Sequence, residues 1–237
     1  MTDLQALIFD VDGTLAETEE AHRQAFNDTF KAHGLDWQWD RSLYKALLSV
    51  TGGRERMRHY IDHYRPGTGA DLSNDEIAAL HADKTRRYGA IVAAGAISLR
   101  PGVARLLREA RETGLRLAIA TTTSMTNVTT LLASTLGNEA ETWFDVTGAA
   151  EQASSKKPAP DVYHWVLERL GLPVSACLAI EDSYNGLQAA STAGLTTLIT
   201  PSLYTRDEDF SVAASIVPDL SSVTLTTLSA LLESRTE

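Results

Sequence analysis

The chain is 237 residues long, 43% hydrophobic, with a formal charge of −10 and a single cysteine. That length fits one large domain or a core with a smaller insert, and the surplus of acid excludes a nucleic-acid or anionic-membrane surface as partner. No apolar run reaches the roughly 20 residues of a membrane helix. One cysteine excludes an internal disulfide, and Cys177, inside an apolar run, reads as a small buried core residue.

The first predicted element is the strand Ala6-Leu7-Ile8-Phe9, which runs into Asp10-Val11-Asp12-Gly13-Thr14-Leu15. It begins so close to Met1 that no room is left for a signal or transit segment, which predicts a cytoplasmic protein. Side chains two apart on a strand share a face, so Asp10 and Asp12 border one small volume. Two acids that close in an apolar segment need positive charge between them, and oxygen-only ligands suit Mg²⁺.

Residues 17–96 contain no convincing strand and read as consecutive helices over 19–32, 41–48, 54–64 and 75–94. A Ser73-Asn74-Asp75-Glu76 capping box opens the last, and Pro66-Gly67-Thr68-Gly69 forms the loop before it. Thereafter strands and helices alternate. A helix starting at Pro101 and stopped by Gly114 precedes a strand over 115–120, and a helix follows Ser124. Strand 144–148 leads to helix 160–170, which Gly171 ends; strand 177–180 leads to helix 184–193, which Gly194 ends. Strand 196–200 and a short edge strand over 215–217 complete the pattern. The fold class is therefore α/β, with a Rossmann-like parallel sheet core over 1–16 and 97–237. An all-helical insert, 17–96, forms a second small domain. The Ser- and Thr-rich stretch 221–227 reads as a helix cap.

Ligands of such sheets sit beyond the carboxyl ends of the strands. Those ends carry Asp10 and Asp12, the hydroxyl cluster Thr121-Thr122-Thr123-Ser124, Lys157 pinned by two prolines ahead of a helix, and Glu181-Asp182. Each has a bland reading alone: a polar turn, a helix cap, a solvated loop, a second cap. In order, each at its own strand end, they compose a phosphate-ester site. Asp10 attacks phosphorus, and Asp12 serves as acid and then base with its backbone carbonyl on the metal. Asp182 and Glu181 bind Mg²⁺, while Thr121 and Lys157 hold the phosphate.

The same residues resemble the haloacid-dehalogenase superfamily of phosphatases. Asp10-Val11-Asp12-Gly13-Thr14 matches the first family motif, Thr121 the second, Lys157 the third and Glu181-Asp182 the fourth. The helical insert resembles the cap of the subgroup that includes β-phosphoglucomutase and many sugar-phosphate phosphatases. Residues 14–20, 37–41, 51–56 and 120–124 are similar to the xylulose-1,5-bisphosphate phosphatases of photosynthetic and autotrophic organisms. The resemblance implies removal of that Rubisco inhibitor as xylulose-5-phosphate, a Calvin-cycle intermediate, by a monomer with Mg²⁺. It implies a cap that closes over substrate on hinges near 16–17 and 94–99.

A bisphosphate needs a second positive site. Arg54 after Gly52-Gly53 offers a guanidinium fork beside accessible backbone N–H groups. Lys84 is a second candidate, by its similarity to a cap lysine of the β-phosphoglucomutase group. Glu17 and Tyr44 are expected to bind sugar hydroxyls, with His22 near the hinge. On the core side Thr121, Thr122, Thr123 and Lys157 complete the substrate contacts. The competing readings are a β-phosphoglucomutase-type phosphomutase, a phosphatase of broader specificity and a non-catalytic sugar-phosphate-binding module.

Overall fold

The computed structural model describes residues 4–65 and 72–234, so the predicted Pro66–Gly69 loop lies outside the described residues. Among them, six strands form one parallel sheet: β1 (Ala6–Phe9), β2 (Arg116–Ala120), β3 (Val146–Gly148), β4 (Cys177–Glu181), β5 (Thr196–Ile199) and β6 (Ser215–Ile216). Their order is β3-β2-β1-β4-β5-β6, the doubly wound arrangement. By internal packing the chain divides into two compact units, Met1–Glu17 with Ile97–Glu237, and Thr18–Ala96.

All four residues of β1 are fully buried, as a central strand covered on both faces requires. Ala6 and Ile8 pack with Tyr163 and Val166 of α7 (Asp161–Leu170) and with Ala189 and Ala190 of α8 (Tyr184–Thr192). Leu7 and Phe9 alternate to the opposite face. Cys177 lies in the same core with its thiol pushed up to about 11 by burial, which leaves it inert.

Two elements start more than one residue later than the sequence reading places them. Pro101 does not start a helix: Pro101-Gly102 form a turn whose Pro101 carbonyl accepts the Leu220 N–H at 3.1 Å, and α5 spans Val103–Glu112. The strand expected from 144 begins at Val146, because Ala140–Trp143 wind into a 3-10 turn that takes the Phe144 N–H. The Ser- and Thr-rich stretch is a cap as expected. Thr224 accepts from the Thr227 N–H at the start of α9 (Leu225–Glu233).

The helical unit contains α1 (Glu19–Ala32), α2 (Arg41–Leu47), α3 (Gly53–Tyr64) and α4 (Asn74–Ala93). Its core is aromatic. Trp39 packs against Phe26, Phe30 and Tyr60 with ring centroids 4.6, 4.9 and 5.4 Å away. The capping box at Ser73 and Glu76 forms as expected, each satisfying the other's backbone N–H.

Candidate active site

The strand order reverses between β1 and β4, and the site lies at that switch point. Register positions it. Phe9 is opposite Ile119 on one side and Ile180 on the other, so the next residues, Asp10, Ala120 and Glu181, share one level. Lys157 arrives from the loop before α7. Its ammonium donates to Asp10 Oδ1 at 2.7 Å, to Glu181 Oε1 at 2.5 Å and to the Ala120 carbonyl at 2.8 Å. That loop is tied down by Asp161, whose carboxylate accepts from Ser154 Oγ at 2.5 Å and the Ser155 N–H at 2.9 Å.

Thr121 follows β2 and is buried, with its N–H on the Gly148 carbonyl and its hydroxyl oxygen accepting the Thr123 N–H at 3.2 Å. Ser124 caps α6 (Met125–Leu136), and Asn127 reaches back to Thr123 Oγ1 at 3.0 Å. The half-buried Asp12 sits on a tight turn in which Leu15 N–H returns to the Val11 carbonyl at 2.9 Å.

Three buried carboxylates, Asp10, Glu181 and Asp182, face one buried ammonium. Burial pushes the Asp10 carboxyl up to about 8; Lys157 pulls it down, and the Glu181 and Asp12 charges add to the rise. Burial alone would depress Lys157, but Asp10 and Glu181 outweigh it and hold the ammonium above its ordinary range. The residues fit a hard divalent cation. One oxygen from each of Asp10, Glu181 and Asp182 lies within 4.8 Å of the others, and the Asp12 side chain is not in that trio. Glu181 Oε2 is buried without a hydrogen-bond partner, a vacancy in the bonding of a charged oxygen that a cation would fill.

This arrangement sets a pH dependence. A cation requires ionised Asp10, whose carboxyl stands near 8 in the metal-free protein. A divalent cation bound there at pH 7 would therefore expel a proton, and its apparent affinity is expected to climb with pH by up to about tenfold per unit towards about pH 8 and then level off. Titration calorimetry in buffers of different ionisation heat reads that proton; an affinity flat from pH 6 to 8 contradicts it.

The helical unit places the other expected residues as follows. Lys84 and His22 are both buried, and the Lys84 ammonium donates to His22 Nδ1 at 2.6 Å while standing 4.6 Å from the centroid of the Phe26 ring. His22 stacks on Tyr88 at 3.8 Å. Gly52, with φ +102°, is the N-cap of α3, and Gly53 is its first residue. Arg54 is exposed on that first turn and lines an open cleft with Arg58 and His59. Tyr44 departs from its expected role. It is fully buried, donates its hydroxyl to Glu19 Oε2 at 2.6 Å and accepts from Arg56 at 3.1 Å, which makes it part of the aromatic core. In the sheet unit, the Glu17 carboxylate accepts the Leu203 N–H at 3.2 Å.

A family model of haloacid dehalogenase-like hydrolases matches residues 4–194, which takes in β1 to β4 and the residues Asp10, Asp12, Thr121, Lys157, Glu181 and Asp182. The chain belongs to that family. It is an enzyme, a hydrolase of the phosphatase type. It is 54% identical over 219 residues to protein CbbY of Rhodobacter capsulatus, covering 92% of this chain and 95% of that one. Two solved structures of CbbY from Rhodobacter sphaeroides superimpose with TM-scores of 0.87, each covering 92% of this chain and 96% of the other. One, 47% identical, is a complex with phosphate. The other, 46% identical, is a D10N mutant in complex with xylulose-(1,5)bisphosphate. No helix among the described residues is long and apolar enough to cross a membrane.

The structure of this hydrolase adds residues that the sequence reading missed. The buried Tyr163 hydroxyl donates to Glu181 Oε1 at 2.5 Å, fixing the carboxylate that Lys157 also holds. Gly13 and Gly186 lie flat against the carboxylates of Asp182 and Glu181, and a methyl group at either would overlap them. Gly186 carries a sequence signal, because a glycine inside a helix costs about 1 kcal/mol and implies a close approach. Tyr163 carries none, since an aromatic in a first helical turn reads as core.

Proposed function

We propose that this hydrolase is a Mg²⁺-dependent sugar-bisphosphate phosphatase that converts xylulose-1,5-bisphosphate to xylulose-5-phosphate and phosphate. The chemistry rests on one observation: Asp10, Glu181 and Asp182 converge with Lys157 at the switch point, leaving a buried carboxylate oxygen without a partner. Support for the substrate comes from the R. sphaeroides relative, whose D10N mutant holds that bisphosphate.

Asp10, with the Asp12 backbone carbonyl, Asp182 and Glu181, would hold the cation. Bound there, Mg²⁺ supplies the positive charge that offsets repulsion between a phosphate dianion and a carboxylate nucleophile. Lys157 fixes the rotation of the Asp10 carboxylate through Oδ1 and adds a second compensating charge. The Asp10 carboxylate attacks phosphorus, the bond to the sugar oxygen breaks, and Asp12 gives its proton to the departing alkoxide. Asp12, now ionised, takes a proton from water, which attacks the aspartyl phosphate and frees phosphate and Asp10. Thr121, Thr122 and Thr123 offer hydroxyl and N–H groups to phosphate oxygens.

The helical unit acts in this reading as a specificity cap. Gly52, Gly53 and Arg54 carry positive charge and backbone N–H groups for the second phosphate, the His22–Lys84 pair adds a cation, and Glu17 binds a sugar hydroxyl. A phosphate-release screen with Mg²⁺ across sugar bisphosphates and monophosphates tests the proposal.

A further inference from the structure

Arg100 lies outside every motif, yet it is buried and its guanidinium collects four backbone carbonyls from three segments. It donates to Gly13 O and Thr200 O through one nitrogen, the second at 2.6 Å, and to Pro201 O and Pro218 O at 2.9 and 3.2 Å through the other. Its Nε stands 3.7 Å from Glu17. Burying a guanidinium is costly, and only a geometry that satisfies its fork offsets that cost. Three of these carbonyls belong to the nucleophile turn and to the loop after β5, where strand pairing has ended and the ladder no longer supplies donors; the fourth, Pro218 O, follows β6.

Both segments lead to the acidic cluster. Gly13 follows Asp12 directly and packs against the Asp182 carboxylate. The loop after β5 continues to Thr205, whose hydroxyl accepts the Ser202 N–H at 2.9 Å and donates to the Asp182 carbonyl at 2.7 Å. One route from Arg100 therefore ends beside Asp12, the other on Asp182.

We infer that Arg100 is a positioning residue for the cation site: it fixes the spacing between the Asp10–Gly13 turn and Asp182. The inference rests on the Mg²⁺ phosphatase reading. A lysine offers no planar fork, so Arg100→Lys keeps the charge while releasing at least one of the two segments. Thr205→Val cuts the second route without touching Arg100.

The test is Mg²⁺ binding to the substrate-free full chain by titration calorimetry, beside thermal melting and phosphate release. Arg100→Lys is expected to weaken Mg²⁺ binding about 10-fold or more, as loss of an outer support of a metal site does. Its release rate should recover largely at high Mg²⁺ with KM for the sugar phosphate little changed. Thr205→Val should weaken Mg²⁺ in the same direction, and the double variant by less than the product of the two, since both loosen one frame. A lowered melting temperature with wild-type Mg²⁺ affinity in Arg100→Lys would assign Arg100 to packing alone and overturn the inference. Should that variant fail to fold, wild-type affinity in Thr205→Val overturns it instead. Wild-type protein that binds no Mg²⁺ or releases no phosphate defeats the phosphatase reading itself, and the inference with it.

Discussion

Asp10→Asn is expected to lower phosphate release by at least about 10⁴-fold while leaving sugar-bisphosphate binding nearly intact. The amide is isosteric, and Asn Oδ1 can still accept from Lys157, which lies 2.7 Å from the carboxylate it replaces. What is lost is the nucleophilic oxygen, while Lys157 and Tyr163 still hold Glu181 Oε1 and Thr205 still braces Asp182. Asn keeps the Lys157 contact and Lys157 keeps its Glu181 partner, so no buried ammonium is left unpaired and the variant is expected to melt close to wild type. Calorimetric binding of xylulose-1,5-bisphosphate and a phosphate assay on the same preparation separate the two effects. Turnover retained within about 10-fold would exclude Asp10 as the nucleophile.

Lys157→Met is expected to damage both catalysis and stability. It removes the only ammonium that touches Asp10 and Glu181 among the described residues, and leaves those carboxylates buried together. Breaking a buried pair in this way costs about 3–5 kcal/mol, and loss of transition-state charge compensation lowers release by about 10²–10³-fold. The pH dependence has a definite sign. Lys157 is what lowers Asp10, so without it the carboxyl rises further above its unfolded value. A carboxyl raised in the folded state binds more protons there than in the unfolded chain, so its contribution favours folding at low pH and is lost as pH rises. Because wild-type Asp10 itself holds its proton up to about 8, the deficit opens above that value: denaturant unfolding should show a larger deficit at pH 9 than at pH 6, and Mg²⁺ should narrow it. An equal deficit at both pH values would contradict the charge assignment.

The parts of this protein legible in sequence are those whose meaning is local. Asp10, Glu181 and Asp182 stand at strand ends, where an apolar run marks the strand and the next residue marks the site, and Lys157 is marked by the prolines that follow it ahead of a helix. The capping boxes at Ser73 and Thr224 are likewise one-turn patterns. Arg100, Tyr163 and Thr205 act through partners from 18 to 118 positions away, and an arginine before Pro-Gly reads as a solvated turn because nothing nearby announces four converging carbonyls. Tyr44 fails in the opposite direction. Its hydroxyl invites a ligand role, but Glu19 and Arg56 satisfy that hydroxyl inside the helical unit. The Pro101 boundary was misread for a similar reason, since the Leu220 N–H that claims its carbonyl comes from the far end of the chain.

The identity of the substrate is the claim on which the rest of the account converges. The direct measurement is initial phosphate release by the purified chain with Mg²⁺ from xylulose-1,5-bisphosphate, fructose bisphosphate, β-glucose 1-phosphate and phosphoglycolate. The account predicts kcat/KM for xylulose-1,5-bisphosphate at least about 10²-fold above the monophosphates, because a second charged phosphate left unmatched forfeits several charge-assisted hydrogen bonds. Equal, slow release across the panel would contradict it.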